Sequence, residues 1–264
     1  MTIVYLLLTA LCSTALYLYL HKKTKISLRC LYQDNLVVIL FSFIILQFAI
    51  LKVVPDKVVC IAYVLLSVPF FAFLVFAVKF YRSPNRKVNG EEDGIVSPAD
   101  GNVIYIKRIE QGEEPISVKN GRQATLFEFA NTEVLDRPCW LIGINMTPLD
   151  VHKNCAPVEG KIVLNKHFDG EFLSLKHEEA LRRNERNTIV IDNPRGKVGV
   201  VQTASRLVRR IVTYKKENDT VSKGEWYGMI KFGSQVDLII PASCKVMAAI
   251  GQQVYARKTL IAKW

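Results

Sequence analysis

The sequence predicts a mainly β domain of sandwich or barrel type, with lipoyl-like hairpins, preceded by an α-helical transmembrane region. Two observations carry this. Three long apolar runs, Ile3–Leu20, Leu36–Leu51 and Val58–Val78, all fall before residue 80. After Lys79 the pattern changes to short β-branched stretches broken by Gly, Pro and charge. The boundary is set near Arg86, giving a membrane anchor over 1–86 and a second domain over 87–264.

The first and third runs carry no formal charge and reach about 18 residues, enough for a helix to cross a hydrocarbon core. The second is shorter and reaches crossing length only if Lys52 snorkels and Val53 and Val54 join it. A re-entrant or interfacial hairpin is the alternative there. Pro55 and Asp56 mark a turn between the second and third runs. Positive charge follows the first run, as Lys22, Lys23, Lys25 and Arg29, whereas a signal peptide carries it in front. It also follows the third, as Lys79, Arg82, Arg86 and Lys87. The positive-inside rule then predicts a multi-pass protein of the cell membrane, with three crossings, the amino terminus outside and the β domain in the cytoplasm.

The net charge of +11 raises nucleic acid as a partner, so its location decides. Residues 1–86 hold nine Lys or Arg against two Asp, so most of the excess lies beside the membrane. Topology and anionic headgroups explain it better than a polynucleotide does. The cysteines Cys12, Cys30, Cys60, Cys139, Cys155 and Cys244 show no paired spacing, which argues against a zinc site or a disulfide framework. Scattered reduced thiols agree with a cytoplasmic domain.

In the second domain, strands are expected at Val103–Ile106, Trp140–Ile144, Thr188–Ile191, Val198–Val201, Leu207–Tyr214 and Val236–Ile240. Leu173–Arg186, charged and free of Gly and Pro, reads as a helix or a solvated loop. Ser97-Pro98-Ala99-Asp100-Gly101-Asn102-Val103 and Ala156-Pro157-Val158-Glu159-Gly160-Lys161-Ile162 share a cadence in which a turn delivers the chain into a strand. No longer internal repeat is evident. Ala249–Val254 followed by Leu260–Ala262 has the hairpin rhythm of lipoyl-type and biotinyl-type barrels.

Three segments could carry chemistry. Gly233-Ser234, between two apolar stretches, reads in isolation as a turn. Gly permits strained backbone, however, and a following Ser hydroxyl can attack the preceding carbonyl if a base is near. His152, in Asp150-Val151-His152-Lys153-Asn154-Cys155, is a loop histidine with a side chain suited to proton transfer near neutrality. Asp100 reads either as a turn carboxylate or as the acid that orients a histidine.

Together these segments resemble the phosphatidylserine decarboxylase family, in particular its short form. The resemblance runs from about Phe80 to the carboxyl end. It rests on Phe80-Tyr81-Arg82-Ser83-Pro84-Asn85-Arg86, Ser97-Pro98-Ala99-Asp100-Gly101, Asp150-Val151-His152-Lys153-Asn154, Asn184-Glu185-Arg186-Asn187, Arg209-Arg210-Ile211-Val212 and Gly228 to Asp237. It implies cleavage between Gly233 and Ser234, with Ser234 becoming a covalent pyruvoyl group, the two chains staying associated, and no metal. His152, oriented by Asp100, would take the Ser234 hydroxyl proton and later serve the decarboxylation. The substrate implied is a membrane phospholipid with a serine headgroup, ester-linked phosphatidylserine or ether-linked archaetidylserine. One departure stands out: longer members place a second His three residues after the first and short members tend to have Arg, where this chain has Cys155. The oligomeric state is left open.

Other readings are a membrane-tethered lipoyl-like carrier or adaptor without activity, a relative that keeps the fold but not the cleavage, and a pyruvoyl decarboxylase of a soluble amino acid. A carrier would present a Lys at a hairpin tip between small or Met residues, a setting that Lys245 lacks. A soluble substrate gives no purpose to three apolar helices.

Overall fold

The computed structural model describes residues 2–24, 28–50, 52, 56–110, 116–119, 122–125, 138–170, 184–204, 210–231 and 234–264. Their contacts divide the chain into two compact units. One is Met1–Arg82 with Thr147–Leu149, and the other is Ser83–Met146 with Asp150–Trp264.

The first unit holds α1 (Thr2–Thr24), α2 (Leu28–Ile45), which continues as a π-helical turn over Leu46–Ile50, and α3 (Lys57–Tyr81). All three helical segments are long and apolar enough to cross a membrane. The second reaches that length from its polar end. Its apolar span is Leu31–Phe48, which takes in Asp34 and Asn35, ahead of the run expected from Leu36. Both polar residues are buried and satisfied, which is what lets them lie inside an apolar bundle. Asn35 accepts from Ser13 Oγ at 2.6 Å and donates to Thr14 Oγ1 at 3.0 Å, while Asp34 pairs with Lys79. Asp56 caps α3, its Oδ1 accepting from the N–H groups of Val58 and Val59 at 2.8 and 3.1 Å. Large apolar side chains such as Ile3, Leu7, Leu11, Leu66, Phe70 and Phe73 face outward. Past the end of α3, Arg82 donates to the Lys79 carbonyl at 2.8 Å and the Leu149 carbonyl at 2.7 Å.

The second unit is β throughout its described residues. Its strands are β1 (Gly94–Val96), β2 (Gly101–Ile109), β3 (Ile116–Lys119), β4 (Arg122–Thr125), β5 (Cys139–Asn145), β6 (Lys153–Cys155), β7 (Gly160–Phe168) and β8 (Arg186–Asn193). They continue with β9 (Gly196–Ala204), β10 (Arg210–Thr213), β11 (Thr220–Val221), β12 (Trp226–Lys231), β13 (Ser234–Pro241), β14 (Lys245–Val246), β15 (Gln253–Val254) and β16 (Leu260–Lys263). The main antiparallel sheet runs β11-β7-β8-β9-β13-β5-β2-β15; two smaller sheets run β1-β16-β14 and β10-β12-β6, and β3 pairs with β4. Strand alternation sends Val236, Leu238 and Ile240 of β13 into the larger core and Ile239 into a second cluster with Tyr105, Val201 and Leu141. The expected runs lie in β2, β5, β8, β9, β10 and β13, except that 207–209 and 173–183 fall outside the described residues.

Where no long repeat is evident in the sequence, the hydrogen bonds reveal one. Val96 N–H donates to the Pro157 carbonyl and Cys155 N–H to the Pro98 carbonyl, at 3.0 and 2.9 Å, a reciprocal pair that relates residues 96–98 to 155–157. The relation extends outward. Val103 N–H bonds Gln252 as Ile162 N–H bonds Asp219, Arg257 N–H bonds Ser97 as Gly224 N–H bonds Ala156, and Trp264 N–H bonds Asp93 as Ile230 N–H bonds His152. Backbone conformation follows: Gly101 and Gly160 both sit at φ +152°, Gly251 and Asn218 at +84° and +75°, and Gly224 and Arg257 at +79° and +72°. Sheet order is symmetric about the β9–β13 pair, and β1-β16-β14 matches β6-β12-β10. The unit is thus two similar halves, with the half spanning β6 to β12 inserted between β5 and β13 of the other. The shared turn cadence is the trace of this in the sequence. At both of its glycines a Cβ would lie 2.5 Å or less from a backbone oxygen, Asn145 O or Asp192 O, so only Gly fits.

The same symmetry corrects the expected carboxyl-terminal hairpin. β15 lies on β2 and β16 lies between β1 and β14, so the two belong to different sheets. Each half needs one strand to extend the main sheet and another to close the small one.

Candidate active site

The symmetry has one break that bears on chemistry. In the inserted half, β8 turns directly into β9, with Asp192 opposite Lys197 and Asn193 opposite Gly196. The equivalent pair in the other half is β5 and β13, with Asn145 opposite Gln235. The tight turn is absent there, because the chain leaves β5 for the whole inserted half before it returns. The return passes through Gly233-Ser234, and Ser234 opens β13 opposite Ala204 of β9.

The other two segments converge on the same end of the main sheet. Asn102 at the start of β2 is opposite Asn145 at the end of β5, which is opposite Gln235. Asp100 lies two residues before Asn102. After β5 the chain reaches Asp150, Val151 and His152, and the His152 carbonyl accepts from Ile230 N–H at 3.0 Å. Ile230 is four residues before Ser234 in sequence. Register and hydrogen bonding thus bring the neighbourhoods of Asp100, His152 and Ser234 toward one end of the main sheet from three distant parts of the chain.

Asp100 and His152 are both buried. The Asp100 carboxylate takes both arms of the Arg86 guanidinium, Nη2 donating to Oδ2 at 2.7 Å and Nη1 bonding Oδ1. It also accepts from Ala256 N–H at 2.8 Å and Val151 N–H at 3.4 Å. A bidentate, charge-assisted pair of this kind fixes the orientation of the carboxylate. Through Val151 it holds the peptide leading into His152. The imidazole Nδ1 lies 2.8 Å from the Asp150 carbonyl oxygen. Since a carbonyl only accepts, Nδ1 carries the proton in the neutral ring and Nε2 is the basic nitrogen. Asp150 is tied in turn to Gln253, whose Nε2 lies 3.3 Å from Oδ1.

Cys155 is fully buried, and its Sγ donates to the Ser97 carbonyl at 3.3 Å. Burial pushes its thiol up to about 12, partly countered by Arg257. It is a neutral packing group three residues after His152. The Asn184–Asn187 motif supports the sheet edge beside Ser234. Asn184 Nδ2 donates to the carbonyl of Ala204, the residue opposite Ser234, at 3.0 Å, and Ala204 N–H bonds the Glu185 carbonyl at 2.9 Å. The Glu185 carboxylate accepts from Ile211 N–H at 2.9 Å.

Sequence reasoning missed two features. Arg86 was legible as positive charge beside a membrane and as the end of the motif that begins at Phe80, but its pairing with Asp100 left no signal. Asn154 and Gln202, a buried amide pair joined at 2.7 Å, had no signal beyond the place of Asn154 in the His152 motif.

The profile of the phosphatidylserine decarboxylase family matches residues 73–262. A Methanocaldococcus jannaschii protein named as an archaetidylserine decarboxylase proenzyme is 41% identical over 191 residues, covering 72% of this chain and 91% of its own length. A second protein of that name, from Methanothermobacter thermautotrophicus, is 37% identical over 198 residues, covering 74% and 83%. A Burkholderia lata phosphatidylserine decarboxylase proenzyme is 34% identical over 196 residues, covering 74% and 82%. A profile match across most of the chain, together with these identities, establishes that the chain belongs to the phosphatidylserine decarboxylase family of enzymes.

Proposed function

We propose that this chain cleaves itself between Gly233 and Ser234, converts Ser234 into a pyruvoyl group, and decarboxylates a serine-headed phospholipid at a membrane that its three apolar helices span. The observation that carries this reading is the meeting of the Asp100, His152 and Ser234 neighbourhoods at one end of the main sheet, where the inserted half interrupts the β5–β13 connection. Membership of a family whose relatives are named as proenzymes supports the cleavage step.

The residues present fit such a group. Ser234 follows a glycine and opens a strand, and buried polar side chains (Gln202, Thr203, Gln235) line β9 and β13 at that end. In processing, His152 Nε2 takes the Ser234 hydroxyl proton as the oxygen attacks the Gly233 carbonyl, and the peptide becomes an ester. The freed Ser234 amine takes up that proton; loss of the Ser234 Cα proton then breaks the Cβ–O bond and releases the Gly233 carboxylate, and water displaces the nitrogen as ammonia to leave the ketone. Arg86 and Asp100 position His152 through the Val151 peptide, and the Asp150 carbonyl sets its tautomer. The pyruvoyl group, once formed, supplies an electron sink for the bond to CO2. His152 is then placed to return a proton to the substrate carbon. The positive residues after α3 keep the β unit on the cytoplasmic side.

Two tests apply. Denaturing electrophoresis of the purified protein should give two chains, the smaller spanning the 31 residues from Ser234 to Trp264, and Ser234→Ala should abolish cleavage. Carboxyl-labelled serine lipid in micelles should release CO2 where free serine does not. Ester-linked and ether-linked forms assayed side by side assign the lipid backbone. A protein that stays intact while active overturns the reading.

A further inference from the structure

The buried Asn154–Gln202 pair leaves two hydrogen-bonding groups open. Gln202 Nε2 donates to Asn154 Oδ1 at 2.7 Å, and among the described residues neither Asn154 Nδ2 nor Gln202 Oε1 has a partner. Both side chains are wholly buried. Exchanging O and N in both amides leaves the same outcome, one open donor and one open acceptor. Open polar groups in a core are costly and call for a reason.

The internal symmetry argues against a packing requirement. Asn154 on β6 corresponds to Ile95 on β1, since Cys155 and Val96 make the reciprocal bonds. Gln202 is opposite Val236 across the β9–β13 pair, and the equivalence of Lys197 and Gln235 in the two halves makes Ile240 its counterpart. Ile95 and Ile240 are both fully buried in the main core. The fold therefore builds the same place with two isoleucines in one half and with two amides in the other.

The amides lie in the inserted half, beside His152 in sequence. Asn154, in β6, follows His152 by two residues, and both are buried. Gln202 precedes Ala204 by two residues on β9 and shares its face, and the backbone register sets Val236 and Ser234 opposite them on β13. Gln202 is thus the diagonal neighbour of Ser234 across the β9–β13 pair, two positions along the strand, and Asn154 is bonded to it.

We propose that Asn154 and Gln202 recognise the amino acid headgroup of the substrate. The Gln202 carbonyl takes an N–H of the substrate's amino group, and the Asn154 amide donates to its carboxylate. This rests on the proposed function and specifies how the site reads its lipid. A serine headgroup offers one donor and one acceptor on a single carbon, which matches the open pair. The amide is neutral, so it orients the carboxylate without the charge neutralisation that an Arg or Lys would give, and CO2 departs from a group held by one neutral bond. The ethanolamine product has no carboxylate, so Asn154 loses its partner at the moment of reaction.

The test uses Asn154→Leu and Gln202→Met in the full chain, singly and together, as apolar replacements of similar volume. Self-cleavage is read by electrophoresis and mass, turnover in mixed micelles of serine-headed phospholipid, and product inhibition with the ethanolamine-headed lipid. Asn154→Leu is expected to raise KM for the serine lipid at least tenfold while shifting the product inhibition constant less than twofold. Gln202→Met is expected to raise both. The double variant should melt no lower than the wild type, because two open groups are removed. A kcat/KM within twofold of wild type in cleaved variants overturns the proposal and assigns the pair to a structural water. If the double variant fails to cleave, the single ones decide by the same thresholds; failure of both single variants to cleave overturns the headgroup role in favour of processing. Wild-type protein that neither cleaves nor turns over is a failure of the proposed function and is distinguishable from all of these.

Discussion

Replacing Arg86 with Met leaves the Asp100 carboxylate buried without its cation. The side chain of Asp100 is 1% exposed and that of Arg86 19%, so solvent does little to screen the pair. At an effective dielectric near 20, two charges about 4 Å apart interact by about 4 kcal/mol, and breaking one side of a buried pair costs about 3–5 kcal/mol. Asp100 keeps its bonds from Ala256 and Val151 N–H, which sets the expected loss near the lower bound, about 3 kcal/mol. For a unit of this size, about 2–4 °C per kcal/mol gives a fall in Tm of about 6–12 °C. Intrinsic fluorescence in detergent reads this cleanly, because the three tryptophans, Trp140, Trp226 and Trp264, all lie in the β unit. Asp100→Asn should rescue much of the loss in the Arg86→Met background, with a coupling of about 2 kcal/mol. A fall under about 2 °C, or additive effects of the two changes, refutes the view that Arg86 anchors Asp100.

Three further outcomes follow from the same geometry. Cys155, buried and with its thiol pushed up to about 12, stays neutral between pH 6 and about 9 and should resist alkylation in the native protein while reacting after denaturation; native labelling over that range would contradict it. Gly160→Ala places a Cβ 2.2 Å from the Asp192 carbonyl oxygen at φ +152°, so it should lower stability by about 3 kcal/mol or more, or abolish folding, read by thermal unfolding. Gly143→Ala drives a Cβ into the Tyr105 ring at 2.4 Å and displaces the hydroxyl that bonds Asp237. A loss of about 1–3 kcal/mol is expected, and unchanged unfolding would show that the ring moves freely.

The features legible in the sequence are those set by local pattern. The strands in β2, β5, β8, β9 and β13 show as β-branched runs because each alternates between two buried or half-buried faces. The three helices show as apolar length, and α2 extends ahead of the apolar run at Leu36 because Asp34 and Asn35 are satisfied by neighbours distant in sequence. The duplication was hidden because the halves agree in hydrogen bonds and turn conformation while their side chains differ: Asp93 answers His152, Ile95 answers Asn154, and Gly196 answers Ser234. Only the Pro-x-acid-Gly turns survive as a common signal, where a glycine is sterically required. The site residues Asp100, His152 and Ser234 were found through motif resemblance, since each alone reads as a turn or a loop. The Arg86 pairing and the Asn154–Gln202 contact depend on the fold closing and leave no local pattern.

The most direct measurement is an intact mass spectrum of the purified protein. The account predicts a fragment that begins at position 234, lighter than the serine-started 31-residue peptide by one ammonia, beside the larger amino-terminal chain. A single full-length mass from protein that decarboxylates the serine lipid would contradict it.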